Sequence, residues 1–217
     1  MFANPTMSCC FLLALVALAP GCPPKEAPAP REEAPATDWR SAIEAWEEDD
    51  PIPDVPLLGH DGERFQLADL DAHHILIGFV FSRSPNPVAC PLTMQRFRAV
   101  QKAWAGAESA GKTSGTSLHL LTVTLDPEFD SPSVLKAYGE VYGADLTRWT
   151  LATGDAELVA KELPSLFNVI ALKRGDGDIS HGVKVALLGP GRVPLQEWPD
   201  NEFTAEDVLA LIGKKSP

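Results

Sequence analysis

The residues that most restrict the fold are 75–81, ILIGFVF. A run this apolar and β-prone leaves no polar face, so it reads as a strand buried on both sides within a central sheet. The Pro-rich loop SRSPNPVACP follows it, and Pro91 is suited to the first position of a helix. Met94, Phe97, Val100 and Trp104 then recur at helical spacing. A second buried strand is predicted over residues 118–125, followed by a helix begun by Ser131 and Pro132 and carried by Val134, Leu135 and Tyr138. Strands alternating with helices in this way lie parallel in one sheet.

The flanks complete the layout. Residues 57–70, LLGHDGERFQLADL, place a turn at His60, Asp61 and Gly62 between apolar positions, as in a hairpin. Residues 154–163, GDAELVAKEL, read as a third helix, and 167–172 as a strand leading into a Gly/Asp turn at 175–178. An antiparallel hairpin is expected from 183–188 and 193–196 around the GPGR turn, with a last helix capped by Thr204 and ending near Ile212. The fold class is α/β, a central mixed sheet flanked by helices, with an N-terminal hairpin and a C-terminal hairpin plus helix. No internal repeat or second domain is visible, and the domain is placed at residues 51–213.

Ahead of it, residues 1–22 read as a signal peptide whose apolar core, within CCFLLALVALAPGC, is too short to span a bilayer. Leu18, Ala19, Pro20 and Gly21 before Cys22 are similar to a bacterial lipobox, which implies lipidation of Cys22 and a membrane tether. Ordinary cleavage near Ala19 is the alternative, and both export the protein to the bacterial envelope, on the periplasmic face. Residues 23–37, rich in Pro, Ala and charge, form a spacer, and Trp39, Ile43 and Trp46 suit a short amphipathic helix within 39–50. The formal charge of −12, with no basic stripe, excludes nucleic acid as a partner.

Cys90 is the one cysteine of the domain, the other three being Cys9, Cys10 and Cys22. It stands where the buried strand hands over to a helix N-terminus, a position that favours a thiolate, the form that attacks electrophiles and binds soft metals. His60, His73 and His74 read as turn residues, and His119 as part of the second strand. Asp126 and Asp130 read as turn and capping residues ahead of Ser131.

The segments SPNPVACP after FVFSR, DPEFDSP, RWTLATGD and SHGVKVALLGPGR occur in this order across most of residues 51–213. The set resembles the Sco/SenC family of copper chaperones, which implies a thioredoxin-like fold and a part in cytochrome c oxidase assembly. In that family two loop cysteines and a histidine bind copper. The histidine matches His181 and the second cysteine Cys90, while the first cysteine falls on Ser84. A serine hydroxyl is a hard donor that copper(I) does not favour, and no disulfide can close within the domain. Cys90 and His181 remain as ligands for a weakened copper(I) site, with Met94 as a candidate third ligand one helical turn further on.

Three functions follow. The first is a copper accessory protein whose partner is the oxidase copper subunit or another copper-carrying protein. The second is a degenerate thioredoxin-fold binding module without copper. The third is a one-cysteine thiol peroxidase or reductase using Cys90, since VACP resembles a peroxiredoxin loop, although the threonine expected three residues ahead is Pro87.

Overall fold

The strand built from the apolar run is β3 (His74–Val80), with all seven of its residues buried. It pairs in parallel with β4 (Leu118–Thr124) and antiparallel with β8 (Lys184–Leu188). Beyond β4 come β5 (Trp149–Thr153), in parallel, and then the hairpin of β1 (Pro56–Gly59) and β2 (Arg64–Gln66). On the other side β9 (Pro194–Pro199) closes the sheet, giving the order β2-β1-β5-β4-β3-β8-β9. This computed structural model describes Met1 and residues 38–213 other than 71, 114, 176 and 177. The signal peptide, Cys22 and the 23–37 spacer therefore lie outside the described residues. The chain divides into two units, Met1–Glu33 and Ala34–Pro217, and everything described from residue 38 onward belongs to the second.

Helix α2 (Cys90–Ser109) buries Met94, Phe97, Val100 and Trp104, the four positions picked out by their spacing. Each large apolar side chain so buried stabilises the fold by about 1.5–3 kcal/mol. Gly78, at the centre of β3, makes the packing possible: a Cβ there would lie 3.1 Å from the Phe97 ring, tighter than a packed core tolerates. Helix α3 (Pro132–Val141) starts as expected, with the Ser131 hydroxyl accepting from the Val134 N–H at 3.4 Å. Helix α5 (Ala205–Gly213) follows a reciprocal cap, in which Thr204 Oγ1 accepts from the Asp207 N–H while Asp207 Oδ2 accepts from the Thr204 N–H. The mixed sheet with flanking helices is the expected fold class.

Several expectations are corrected. The N-terminal amphipathic helix is only α1 (Trp39–Glu44), although Trp39, Ile43 and Trp46 all pack on the core. Residues 149–153, quoted above only for their family likeness, form β5. The third helix takes a π register over Leu158–Glu162 before α4 (Leu163–Ser165). Pro164 explains the widened turn, because it has no N–H to donate and its ring crowds the carbonyl four residues back. The Leu163 N–H accordingly reaches the Leu158 carbonyl, five residues back.

The expected strand at 167–172 starts late. Residues 166–168 turn, with Asn168 at φ 54°, and Phe167 enters the core with its ring 5.4 Å from that of Phe79. Only then does β6 (Ala171–Lys173) form, and it pairs with β7 (Ile179–His181) as a two-stranded ribbon separate from the main sheet. His74 is buried as the first residue of β3 and does not sit in a solvated turn; its Nδ1 contacts Thr116 Oγ1 at 3.1 Å.

Candidate metal centre

Because β3 and β4 run parallel, their carboxyl ends open at one edge of the sheet, where α/β folds bind ligands. The loop from β3 to α2 lies there and delivers Cys90 as the first residue of α2. The ribbon delivers His181 to the same place. Cys90 Sγ and His181 Nε2 stand 3.3 Å apart, joining residues separated by 91 positions in the chain.

The protons of this pair follow from its partners. His181 Nδ1 lies 2.9 Å from the Gly182 carbonyl, which can only accept, so Nδ1 carries the hydrogen and Nε2 presents its lone pair to Cys90. Burial lowers the pKa of His181 and keeps the imidazole neutral. The edge of the Phe81 ring packs against it, the centroids 5.6 Å apart. Cys90 is fully buried, and burial pushes its thiol up; hydrogen bonds from the Ser84 hydroxyl and the Phe81 N–H, the latter at 3.4 Å, oppose that rise. The expectation that the helix N-terminus favours a free thiolate is corrected: desolvation of the anion outweighs the helix field. The resting pair is a thiol donating to a neutral imidazole.

Ser84, read as standing at the family's first cysteine position, thus sits within hydrogen-bonding reach of Cys90. Met94 is fully buried in the hydrophobic core. Among the described residues, no group of three or more His, Cys, Asp or Glu side chains is placed to hold a metal ion. The histidines other than His181 are engaged elsewhere: His60 Nδ1 accepts from the Leu151 N–H, His73 contacts Ser117, and His119 Nε2 contacts Thr150 Oγ1.

Sequence reasoning missed the residues that hold the loop. Asp130, fully buried, accepts from the Ser82 N–H at 3.1 Å, from the Ser82 hydroxyl, and from Thr124 Oγ1 at 2.6 Å. It ties the loop to the end of β4 and does not cap α3. Asp126 accepts from Arg83 Nη2 at 2.5 Å and faces Lys173 Nζ at 3.8 Å. At the other end of the loop the Asn201 amide donates to the Val88 and Ala89 carbonyls at 3.4 and 3.3 Å, and Thr93 Oγ1 contacts Asn201 Oδ1 at 2.9 Å. Asn201 is buried at φ 60°, a conformation Asn tolerates better than most residues. Paired acids in DPEFD were the one visible signal; for Asn201 there was none.

A thiol and an imidazole brought together at the strand ends of a thioredoxin-like α/β domain offer the donor types that soft metals favour. The SCO1/SenC family model matches residues 47–215, and the chain belongs to that family. A SCO1 protein homolog of Bacillus subtilis is 24% identical over 159 residues, spanning 72% of this chain and 78% of the relative. The crystal structure of a SCO1/SenC family lipoprotein from Bacillus anthracis superimposes with a TM-score of 0.65 at 21% identity, covering 76% of this chain and 94% of that one. Arabidopsis thaliana ScoI, solved with copper bound, gives a TM-score of 0.60 at 18% identity, over 75% and 95% of the two chains.

Proposed function

We propose that this chain is an exported, membrane-tethered accessory protein that holds copper(I) between Cys90 and His181 and serves cytochrome c oxidase assembly. The observation that carries this reading is the 3.3 Å contact between Cys90 Sγ and the unprotonated Nε2 of His181. Thiolate sulfur and imidazole nitrogen are the donors copper(I) prefers, so the residues present fit the ion. The thiol gives up its proton on binding, which makes affinity rise with pH. A two-donor site suits cargo that must leave again, and the recipient is the copper subunit of the oxidase or another copper-carrying protein. The copper-bound Arabidopsis relative supports copper as the cargo, and the lipoprotein relative from Bacillus anthracis supports the tether, with Cys22 as the lipidated residue. No described helix is long and apolar enough to cross a membrane.

The peroxidase reading has less support, because a buried thiol with a raised pKa is a poor nucleophile at neutral pH. The test is anaerobic copper(I) titration of the full chain against a competing chelator, with Cys90→Ser and His181→Ala in parallel. Stoichiometric binding lost in both variants is expected. Binding that survives in both variants, or is absent from the unsubstituted chain, overturns the proposal.

A further inference from the structure

The two candidate ligands ride on elements that share no strand pairing. Cys90 follows a loop anchored to the main sheet, whereas His181 sits on β7, whose described partner is β6 alone. One side chain bridges the two. Asp126, only 1% exposed, points Oδ2 at Arg83 of the cysteine loop, at 2.5 Å, and Oδ1 at Lys173 of the ribbon, at 3.8 Å. Arg83 is steadied by the Phe129 ring, 4.0 Å beneath its guanidinium, and Lys173 by Glu128, at 2.6 Å. Both of these residues belong to the same turn as Asp126, within residues 126–130. In the register of the ribbon Ala171 lies opposite His181, so Lys173 is two residues along β6 from the ligand's partner.

From this geometry we infer that Asp126 is the positioning residue that sets the separation of Cys90 and His181. It holds the loop through Arg83 and the ribbon through Lys173. The Asp126 carboxylate is almost fully buried and Oδ1 accepts no hydrogen bond among the described residues, so the two cations are its compensation. With one arm released, the ribbon keeps its fold but loses its distance to the loop. Second-shell groups of this kind orient ligands, and their loss typically weakens metal binding roughly 10- to 100-fold. The copper arm of the inference rests on the function proposed above; the positional arm does not.

The experiment uses the full chain with Asp126→Asn, Lys173→Met and both together, Lys173 being a half-exposed side chain whose replacement leaves the core untouched. In metal-free protein, nitrogen NMR of His181 is expected to show one tautomer with Nε2 shifted by its contact with Cys90. Each variant should move that signal toward free imidazole, while the urea midpoint of Lys173→Met stays within error. Copper(I) affinity, read by chelator competition, should fall about tenfold or more in Lys173→Met, and the double variant should lose no more than Asp126→Asn alone. An unchanged His181 signal in both single variants overturns the inference whether or not copper binds. Additive losses in the double variant also overturn it. Failure of the unsubstituted chain to bind copper(I) overturns the proposed function instead, and the NMR result then decides the inference by itself.

Discussion

Replacing Asp130 by Ala removes a fully buried acceptor for three donors, the half-buried Ser82 N–H and hydroxyl and the buried Thr124 hydroxyl. A hydrogen bond to a charged group contributes about 1.5–3 kcal/mol, and a buried donor left without an acceptor costs about 1–3 kcal/mol. The three losses are not additive, because water enters the space left by the carboxylate and the Ser82 hydroxyl can rotate. A net cost of about 3–5 kcal/mol is therefore expected, a large part of the roughly 5–15 kcal/mol that holds a domain folded. Ser82→Ala removes one donor and leaves the carboxylate with two, so it should cost about 1–2 kcal/mol. The assay is equilibrium urea unfolding followed by tryptophan fluorescence, with Cys90 alkylation measured in parallel under native conditions. Alkylation should quicken more in Asp130→Ala than in Ser82→Ala, since the base of the cysteine loop is then untied. A loss below about 1 kcal/mol in Asp130→Ala at unchanged denaturant slope would refute the reasoning.

Stability should fall as pH drops from about 6.5 toward 4. Burial pushes His119 down to about 4 and lowers His60 and His74, so the unfolded chain takes up protons that the native state refuses; His119 alone accounts for about 3 kcal/mol by pH 4, read as a shift in urea midpoint that His119→Gln should reduce. Asn201→Ala should cost about 1–3 kcal/mol and expose Cys90 to alkylation, because two carbonyls of the loop and Thr93 lose their shared partner. Ser84→Cys should tighten copper(I) binding and allow a reducible disulfide to Cys90, seen as two titratable thiols that disappear together on mild oxidation; unchanged affinity in the reduced form counts against the site.

Where periodicity was strong the sequence was legible. The apolar run became β3, the four helical positions became the buried face of α2, and the caps at Ser131 and Thr204 formed as read. Legibility failed where tertiary packing overrode local pattern. Phe167 and Val169 look like strand residues because they are apolar, but they are apolar as core anchors around a left-handed Asn168. The helix read over 154–163 took a π register because Pro164, just beyond it, has no N–H to donate. His74 looked solvated beside His73, yet the strand begins one residue earlier than its apolar run and takes His74 inside. Cys90 and His181 were named as a pair only through the family likeness, since nothing in a 91-residue separation measures 3.3 Å. The acids of DPEFD were read locally, as turn formers, and their long-range partners Ser82, Arg83 and Lys173 have no sequence signature.

The state of the pair bears on what the missing cysteine costs. Two neighbouring thiols in a dry site ease each other's ionisation once a cation arrives, because one cation then compensates two anions. Here a serine hydroxyl stands in place of that second anion, and the desolvation that raises Cys90 is opposed by hydrogen bonds, those of Ser84 and the Phe81 N–H foremost. On the proposed function, the site stays protonated until copper(I) displaces the proton, and returns to the Cys90–His181 hydrogen bond when the ion leaves. Release is easier than from a three-donor site, because the vacated sulfur and nitrogen satisfy each other at 3.3 Å and no buried polar atom of the pair is left unpaired. On the proposed copper(I) function, the serine shifts the balance from retention toward exchange, with loop and ribbon held at that separation by the inferred role of the Asp126 carboxylate.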